Sequence, residues 1–313
     1  MPKFVLLWTD AAMWLLAATL VAYGLMVIRR PALAANWRKV FHDPAALASA
    51  VILVVCLVIS MLDSVHFRPL LPPAAGATNA GPAYDTRTRS VFDVLAARLI
   101  EMRETTYSRP LSYVGFTKES VTVAGEVRRV APRLTFGGAH LADPERDWLS
   151  DLALRSAIGL VVGALGGLLL CAALVALVAR ARGIAFAATL GEIRRGEGGV
   201  PWQAALWTVF VLALLAGPAG SLGVHYHLFG TDLTGNDVFY QALKSIRTAF
   251  VIGMLATVAT LPVAVTLGIM AGYFKGWVDE VIQYVYTVMS SIPNVLLIAA
   301  CVLMVQVFLD KHQ

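Results

Sequence analysis

The sequence predicts an all-α polytopic membrane protein with about six transmembrane helices and a small α+β extracytoplasmic insertion. Composition is the first reason, because 58% of the 313 residues are hydrophobic and 14% are charged. Soluble domains average roughly 45–50% apolar and about 25% charged residues. The second reason is that the apolar residues form separate runs, and about 20 such residues suffice to cross a bilayer. The third is that basic residues recur in alternate loops between the runs.

The first apolar run, at 8–28, is predicted to be an uncleaved helix. A signal peptide has its positive charge before the apolar stretch, but here only Lys3 precedes the run, whereas Arg29 and Arg30 follow it. Asp10 lies near its outer end. Further spans are predicted at 45–62, 152–179, 202–222, 248–272 and 281–309.

These spans divide the chain into regions. We distinguish an extra N-terminal helix (1–30), a basic link with the second helix (31–62) and an insertion (63–151). The third and fourth helices, with the loop 180–201 between them, occupy 152–222. A loop and the last helices occupy 223–313.

Basic residues predict the orientation, because short loops rich in Arg and Lys stay in the cytoplasm. If every run crosses the membrane, three basic loops share one side. The N-terminus, the insertion and the loop 223–247 then lie on the opposite side. The basic residues are Arg29, Arg30, Arg38 and Lys39 in the first loop, Arg180, Arg182, Arg194 and Arg195 in the second, and Lys275 in the third.

The insertion is predicted to be a small α+β unit that leans on the membrane helices, because it is too short for a large core. Its start, 70–82, is typical of a linker. Ser90 and Asp93 have capping-box spacing before a helix that continues to Met102, and residues around 124–125 indicate a hairpin. Asp93 and Glu104 are expected on a solvated, charged helix face.

A polar segment before the fifth span is the strongest local motif. It contains Gly230, Thr231, Asp232, Gly235 and Asp237. The glycines permit tight turns, and Asp232 or the nearby Thr234 is expected to cap the following helix. That helix, at 238–247, is expected to lie on the membrane surface. On these grounds alone, an ordinary polar turn explains the segment.

The motif nevertheless resembles the periplasmic loop of dipeptide and oligopeptide ABC importer permeases. The resemblance continues through 247–253, 268–279 and 291–297. It implies a permease subunit of the bacterial inner (plasma) membrane, with its N-terminus in the periplasm, that forms part of the translocation pathway for peptides or similar small solutes. It also implies a second permease subunit, two ATPase subunits and a periplasmic solute-binding protein as partners, besides the lipid bilayer.

The chain departs from this family at several points. Asn236 stands where the motif usually has an arginine, and Tyr284 and Thr287 stand where the family often has arginine and aspartate. Residues 63–222 and the first helix are additions, and the chain is expected to end before the ATPase-docking loop. No Gly-x-x-x-x-Gly-Lys-Ser/Thr sequence occurs, so we expect no ATP hydrolysis by this chain.

Small residues and prolines are further candidates within the spans. Glycines four residues apart let helices approach closely, either within this chain or against a partner permease. Prolines remove a backbone donor and are expected to kink helices or line a pathway. The glycines are Gly159, Gly163, Gly167, Gly268 and Gly272, and the prolines are Pro262 and Pro293.

Other functions have weaker support. His225 and His227 lack a nearby third ligand, so we expect no metal site, and we expect neither a catalytic group nor a cofactor. A net charge of +5 gives little support to nucleic-acid binding. Two alternatives stay open: a membrane-anchored scaffold or sensor that acts through 63–151, and a membrane-embedded enzyme that uses His225, His227 and Asp232.

Overall fold

The computed structural model of the chain describes residues 3–70, 84–123, 126–197 and 199–311. Apart from Leu70, the predicted linker at 70–82 lies outside these residues, as does the predicted turn at 124–125.

The first half of the described chain contains short strands and the first long helices. In chain order its elements are β1 (Lys3–Val5), α1 (Trp8–Arg29), α2 (Pro31–Val40), α3 (Pro44–Asp63), β2 (His66–Arg68), β3 (Arg89–Ser90), α4 (Val91–Leu95), α5 (Ala97–Glu101), β4 (Glu119–Val123) and β5 (Glu126–Val130).

The second half is helical. Its elements are α6 (Pro144–Arg182), α7 (Phe186–Arg195), α8 (Trp202–Gly223), α9 (Val238–Phe274), α10 (Trp277–Ser291) and α11 (Asn294–Lys311). Among the described residues, six helices are long and apolar enough to cross a membrane: α1, α3, α6, α8, α9 and α11. The predicted fold class is therefore confirmed.

Two of these helices are much longer than a bilayer requires. α6 has 39 residues and α9 has 37, so at 1.5 Å per residue they measure about 58 and 55 Å against a hydrocarbon core of about 30 Å. The prediction of a separate surface helix at 238–247 is wrong, because these residues are the first turns of α9 itself.

The predicted sixth span at 281–309 is also wrong as a single helix. Pro293 disfavours the helical conformation of the residue before it, and Ile292 is extended with ψ 126°. Pro293 therefore separates α10 from α11 instead of kinking one continuous helix. Pro262, in contrast, lies inside α9.

The chain divides into two compact units, Met1–Val251 and Ile252–Gln313. In the second unit, α10 and α11 contain no buried residue. In the first unit, α6 and α8 form the most extensive helix pair.

Glycines on α6 allow this close approach to α8. A Cβ atom built on Gly159 would lie 2.5 Å from Pro218 Cα, one on Gly163 would lie 2.6 Å from the carbonyl oxygen of Ala213, and one on Gly167 would lie 2.9 Å from Phe210 Cδ2. Gly268 and Gly272 on α9 have no described atom within 4 Å of such a Cβ apart from their chain neighbours and the backbone of their own helix.

A small antiparallel sheet joins the N-terminus to the insertion. β2 is its central strand, with Phe4 opposite Phe67 and His66 opposite Ser90. The predicted capping box is confirmed, because the Asp93 N–H donates to Ser90 Oγ and the Ser90 N–H donates to Asp93 Oδ2. The helix it begins is shorter than predicted, since the chain leaves helical geometry at Ala96 before α5.

The α6–α8 contact makes a testable prediction. We expect Gly163→Ala to destabilise the protein by about 1–3 kcal/mol, because the added methyl group forces the two helices apart. Gly166→Ala is the matched control, since no described atom outside its own helix backbone lies within 4 Å of its Cβ position. Thermal unfolding in detergent measures both, and equal midpoints for the two variants would contradict the prediction.

Candidate functional site

The motif loop, residues 229–238, is organised by Asp232. Its carboxylate accepts the backbone N–H groups of Thr234 at 2.8 Å and Asn236 at 2.9 Å, and the side-chain amide of Gln241 at 2.7 Å. Burial alone would raise the pKa of Asp232, but the hydrogen bonds from Gln241, Thr234 and Asn236 outweigh it and lower that pKa. Asp232 is therefore a stable anion that holds the loop in shape.

Asp237 caps the helix that follows. Its carboxylate accepts the backbone N–H of Tyr240 at 2.9 Å, the third residue of α9, as an N-cap does. The prediction that Asp232 or Thr234 caps this helix is wrong, because the backbone N–H groups that Asp232 accepts belong to the loop and Thr234 bonds to Asp232 and Asn236.

Hydrogen bonds to backbone carbonyl groups hold the motif loop against the insertion. The N–H of Glu104 donates to the carbonyl oxygen of Gly235 at 2.9 Å, and the Thr231 hydroxyl lies 2.8 Å from the carbonyl oxygen of Thr106. Gly230 and Gly235 have φ values of 76° and 79°. A Cβ on either glycine would overlap the carbonyl oxygen of Ser108 or Glu104, so both positions require glycine for conformation and for contact.

A buried histidine links the insertion to the motif loop through two carboxylates. His227 Nδ1 lies 2.8 Å from Asp237 Oδ2, and His227 Nε2 lies 3.3 Å from Glu104 Oε1. All three side chains are at most 1% exposed. We call Glu104, His227 and Asp237 the His227 cluster.

Glu104 also binds a turn of the insertion. Its carboxylate accepts the backbone N–H groups of Thr135, Phe136 and Gly137 at 2.7–3.0 Å. Burial would raise the pKa of Glu104, but the hydrogen bonds from His227 and from these amides lower it to about 2. The carboxyl group is thus ionised in the fold.

The same cluster raises the pKa of His227. Burial would lower that pKa, but the hydrogen bonds and charges of Asp237 and Glu104 raise it to about 9. His227 is therefore an imidazolium near neutral pH and donates to both carboxylates.

A second ionic cluster joins α1, α3 and α9, three of the helices that are long and apolar enough to cross a membrane. Arg247 on α9 binds Asp10 on α1 and, at 3.4 Å, Asp63 at the end of α3. His66 Nδ1 lies 3.0 Å from Asp10 Oδ2. Both aspartates are almost fully buried. We call Asp10, Asp63, His66 and Arg247 the Arg247 cluster.

The insertion adds a third carboxylate to the same region of α9. Asp93 accepts from Lys244 at 2.6 Å and from the Tyr240 hydroxyl at 2.7 Å. The prediction that Asp93 and Glu104 lie on a solvated face is wrong, because both are buried and bind residues of α9 or the motif loop. Their partners lie 147 and 123 residues away in sequence.

The histidine pair has separate environments instead of a shared one. His225 packs against the ring of His140 with centroids 4.8 Å apart. Both ring nitrogens of His227, in contrast, bind carboxylates. Among the described residues, no group of three or more His, Cys, Asp or Glu side chains is placed to hold a metal ion. His225, His227 and Asp232, the residues of the enzyme alternative, bind different partners.

The structure thus brings Thr231, Gly230, Gly235 and Asp237 of the motif together with the insertion, while Asp232 shapes the loop from within. Gly159, Gly163 and Gly167 contact α8 instead. Sequence reasoning missed the contact between Glu104 and His227 and the contacts of Arg247 with Asp10 and Asp63. Arg247 alone gave a local signal, as a charged residue at the end of a predicted span, and that position does not identify its partners.

Comparison with known proteins finds similarity to peptide transport permeases. Over 76 residues the chain is 36% identical to the dipeptide transport system permease protein DppC of Alkalihalophilus pseudofirmus and 33% identical to the glutathione transport system permease protein GsiD of Pectobacterium atrosepticum. Over 73 residues it is 33% identical to the oligopeptide transport system permease protein OppC of Mycobacterium tuberculosis.

These stretches cover 23–24% of this chain and 25% of each relative. The chain therefore spans about a quarter of the length of the curated relatives it matches. The predicted resemblance to dipeptide and oligopeptide importer permeases is confirmed over that part. No family model matches the chain, and no solved structure matches it significantly.

The His227 cluster predicts a stability that depends on pH. The pKa of His227 rises from 6.5 to about 9 on folding, so its contribution is complete below 6.5 and is lost as the pH rises through 9. The pKa of Glu104 falls from 4.5 to about 2, so its contribution is complete above 4.5 and is lost as the pH falls toward 2. We expect the protection of the backbone amides of Thr135, Phe136 and Gly137 from hydrogen exchange to decline as the pH rises into the alkaline range.

Hydrogen exchange, corrected for its intrinsic pH dependence, measures this decline. His227→Gln should lower protection at pH 6 and abolish the further loss between pH 6.5 and 9. His42→Gln is the control, because His42 is exposed and bonds within its own segment. A wild-type alkaline decline that persists unchanged in His227→Gln would contradict the assignment.

Proposed function

We propose that this chain is an inner-membrane permease subunit of an ABC importer and forms part of the translocation pathway for peptides or similar small solutes. One observation carries the proposal: 33–36% identity to permease proteins of dipeptide, glutathione and oligopeptide transport systems. The polytopic helical fold, with six helices among the described residues that can cross a membrane, supports it.

The proposed orientation puts the motif loop and the insertion in the periplasm. Arg and Lys residues of α2, α7 and the ends of α1 and α6 support this, because such residues are retained in the cytoplasm. The N-terminus is then periplasmic, since β1 pairs with β2 at the start of the insertion. A periplasmic solute-binding protein would dock on this face.

The His227 cluster gives the motif loop a structural role in this scheme. Asp237 binds both His227 and the first turn of α9, and α9 continues without interruption to Phe274. A displacement of the loop by a docked binding protein would therefore act directly on a membrane helix. The insertion would serve as the rigid support against which this displacement occurs.

Energy in the proposed importer comes from other subunits. The sequence contains no phosphate-binding loop of the Gly-x-x-x-x-Gly-Lys-Ser/Thr type. The resemblance to importer permeases implies two separate ATPase subunits and a second permease subunit as partners. ATP-driven closure of the ATPases would move the helices of the paired permeases between outward and inward openings.

Purification of the tagged protein from its native membranes tests the proposal. We expect an ATPase and a second permease to be recovered with it, and peptide uptake to fall in cells that lack it. Recovery of the folded protein without any ATPase or permease would contradict the proposal and favour a scaffold or sensor.

The orientation is tested on the same tagged protein. With the native cysteines replaced by serine, Thr86→Cys in the exposed part of the insertion should react with a membrane-impermeant maleimide in intact cells. Ala187→Cys on α7 should react after lysis only. The opposite pattern would contradict a periplasmic insertion.

A further inference from the structure

An apolar groove lies where α6, α7 and α8 meet. Its volume is about 460 Å³, within the roughly 300–1,000 Å³ of typical ligand sites. The groove is lined by Leu168, Cys171, Leu190, Trp207, Phe210 and Arg194, among others. Leu168 and Trp207 are more than half exposed, so the groove opens toward the surroundings of the helices.

The length of the groove is comparable with one leaflet of a bilayer. Along α8 the groove extends from Gln203 to Phe210, a rise of about 10 Å, against about 15 Å for half of a hydrocarbon core. At its mouth lies α7, which buries Thr189 and Ile193 on one face and exposes Arg194 and Arg195 on the other. Such an amphipathic helix suits the membrane interface.

Arg194 supplies a cation at the mouth of the groove. The neighbouring arginines are paired, Arg182 with Glu192 at 3.5 Å and Arg195 with Glu197 at 2.9 Å. Arg194 forms no ion pair within the described part of the chain. Its backbone carbonyl accepts from Gln203 Nε2 at 2.9 Å, which fixes the end of α7 and leaves the guanidinium available.

A second, smaller cavity adjoins this mouth and contains an unused donor. Its volume is about 160 Å³, and it shares Ile193 and Gln203 with the groove. Trp202 lines it, and the indole Nε1 of Trp202 is buried without a hydrogen-bond partner in the described residues. A buried donor without a partner costs free energy, which a ligand oxygen would recover.

We infer that the groove binds one anionic phospholipid, with an acyl chain along Leu168, Trp207 and Phe210 and the phosphate at Arg194. Charge complementarity selects this occupant over a neutral lipid, since basic sites between membrane helices bind anionic headgroups. The site uses α6, α7 and α8, none of which belongs to the motif loop. Its test is therefore independent of the proposed import activity.

Alkylation of Cys171 reports occupancy of the groove. Full-length protein with Cys56→Ser and Cys301→Ser is reconstituted in nanodiscs of phosphatidylcholine, with increasing fractions of phosphatidylglycerol. We expect phosphatidylglycerol to slow the reaction of Cys171 with a maleimide. Arg194→Gln should need about fivefold more phosphatidylglycerol for half-maximal protection, the factor that corresponds to the contribution of one arginine near an anionic surface.

Arg195→Gln is the matched control, because Arg195 is already paired with Glu197 and should behave as the parent protein does. Native mass spectrometry gives a second measurement, in which the parent and Arg195→Gln retain more bound phosphatidylglycerol than Arg194→Gln does. Equal protection by phosphatidylcholine, or equal behaviour of the two arginine variants, would overturn the inference.

Discussion

A charged histidine buried between two carboxylates holds the motif loop of this protein to its insertion. Removing an ion from water costs several kcal/mol unless partners compensate it. His227 has such compensation only when Glu104 of the insertion and Asp237 of the loop are both in place. Glu104 in turn needs the backbone amides at 135–137. The loop, the insertion and the start of α9 therefore form as one unit.

The Arg247 cluster connects the N-terminal helices to α9 in the same way, through buried charges that depend on one another. Asp10 on α1 and Asp63 on α3 are buried, and Arg247 on α9 binds both. Without α1, Arg247 and His66 would lose Asp10 as a partner in a poorly hydrated environment. The first helix and the insertion thus supply carboxylates that pair with cations on the first turns of α9. They are structural partners of the segment that resembles transport permeases.

Sequence reasoning succeeded where the controlling physics is local. A run of about 20 apolar residues is sufficient to predict a spanning helix, and capping-box spacing correctly located the start of α4. It failed where the outcome depends on distant partners. Glu104 has the sequence context of an exposed helix residue. In the fold it is buried against His227, which lies 123 positions away in sequence. Pro293 had two local outcomes, a kink or a break, and hydropathy does not distinguish them because both flanks are apolar.

Solid-state NMR of the protein in bilayers, with ¹⁵N-labelled histidine, tests most directly whether His227 is charged. Loss of one resonance in His227→Gln assigns the signal among the six histidines. The account predicts that both ring nitrogens of His227 carry protons at about pH 7.5, above the ordinary range of histidine, and remain protonated until the pH approaches 9. A neutral imidazole at that pH in the folded protein would contradict it.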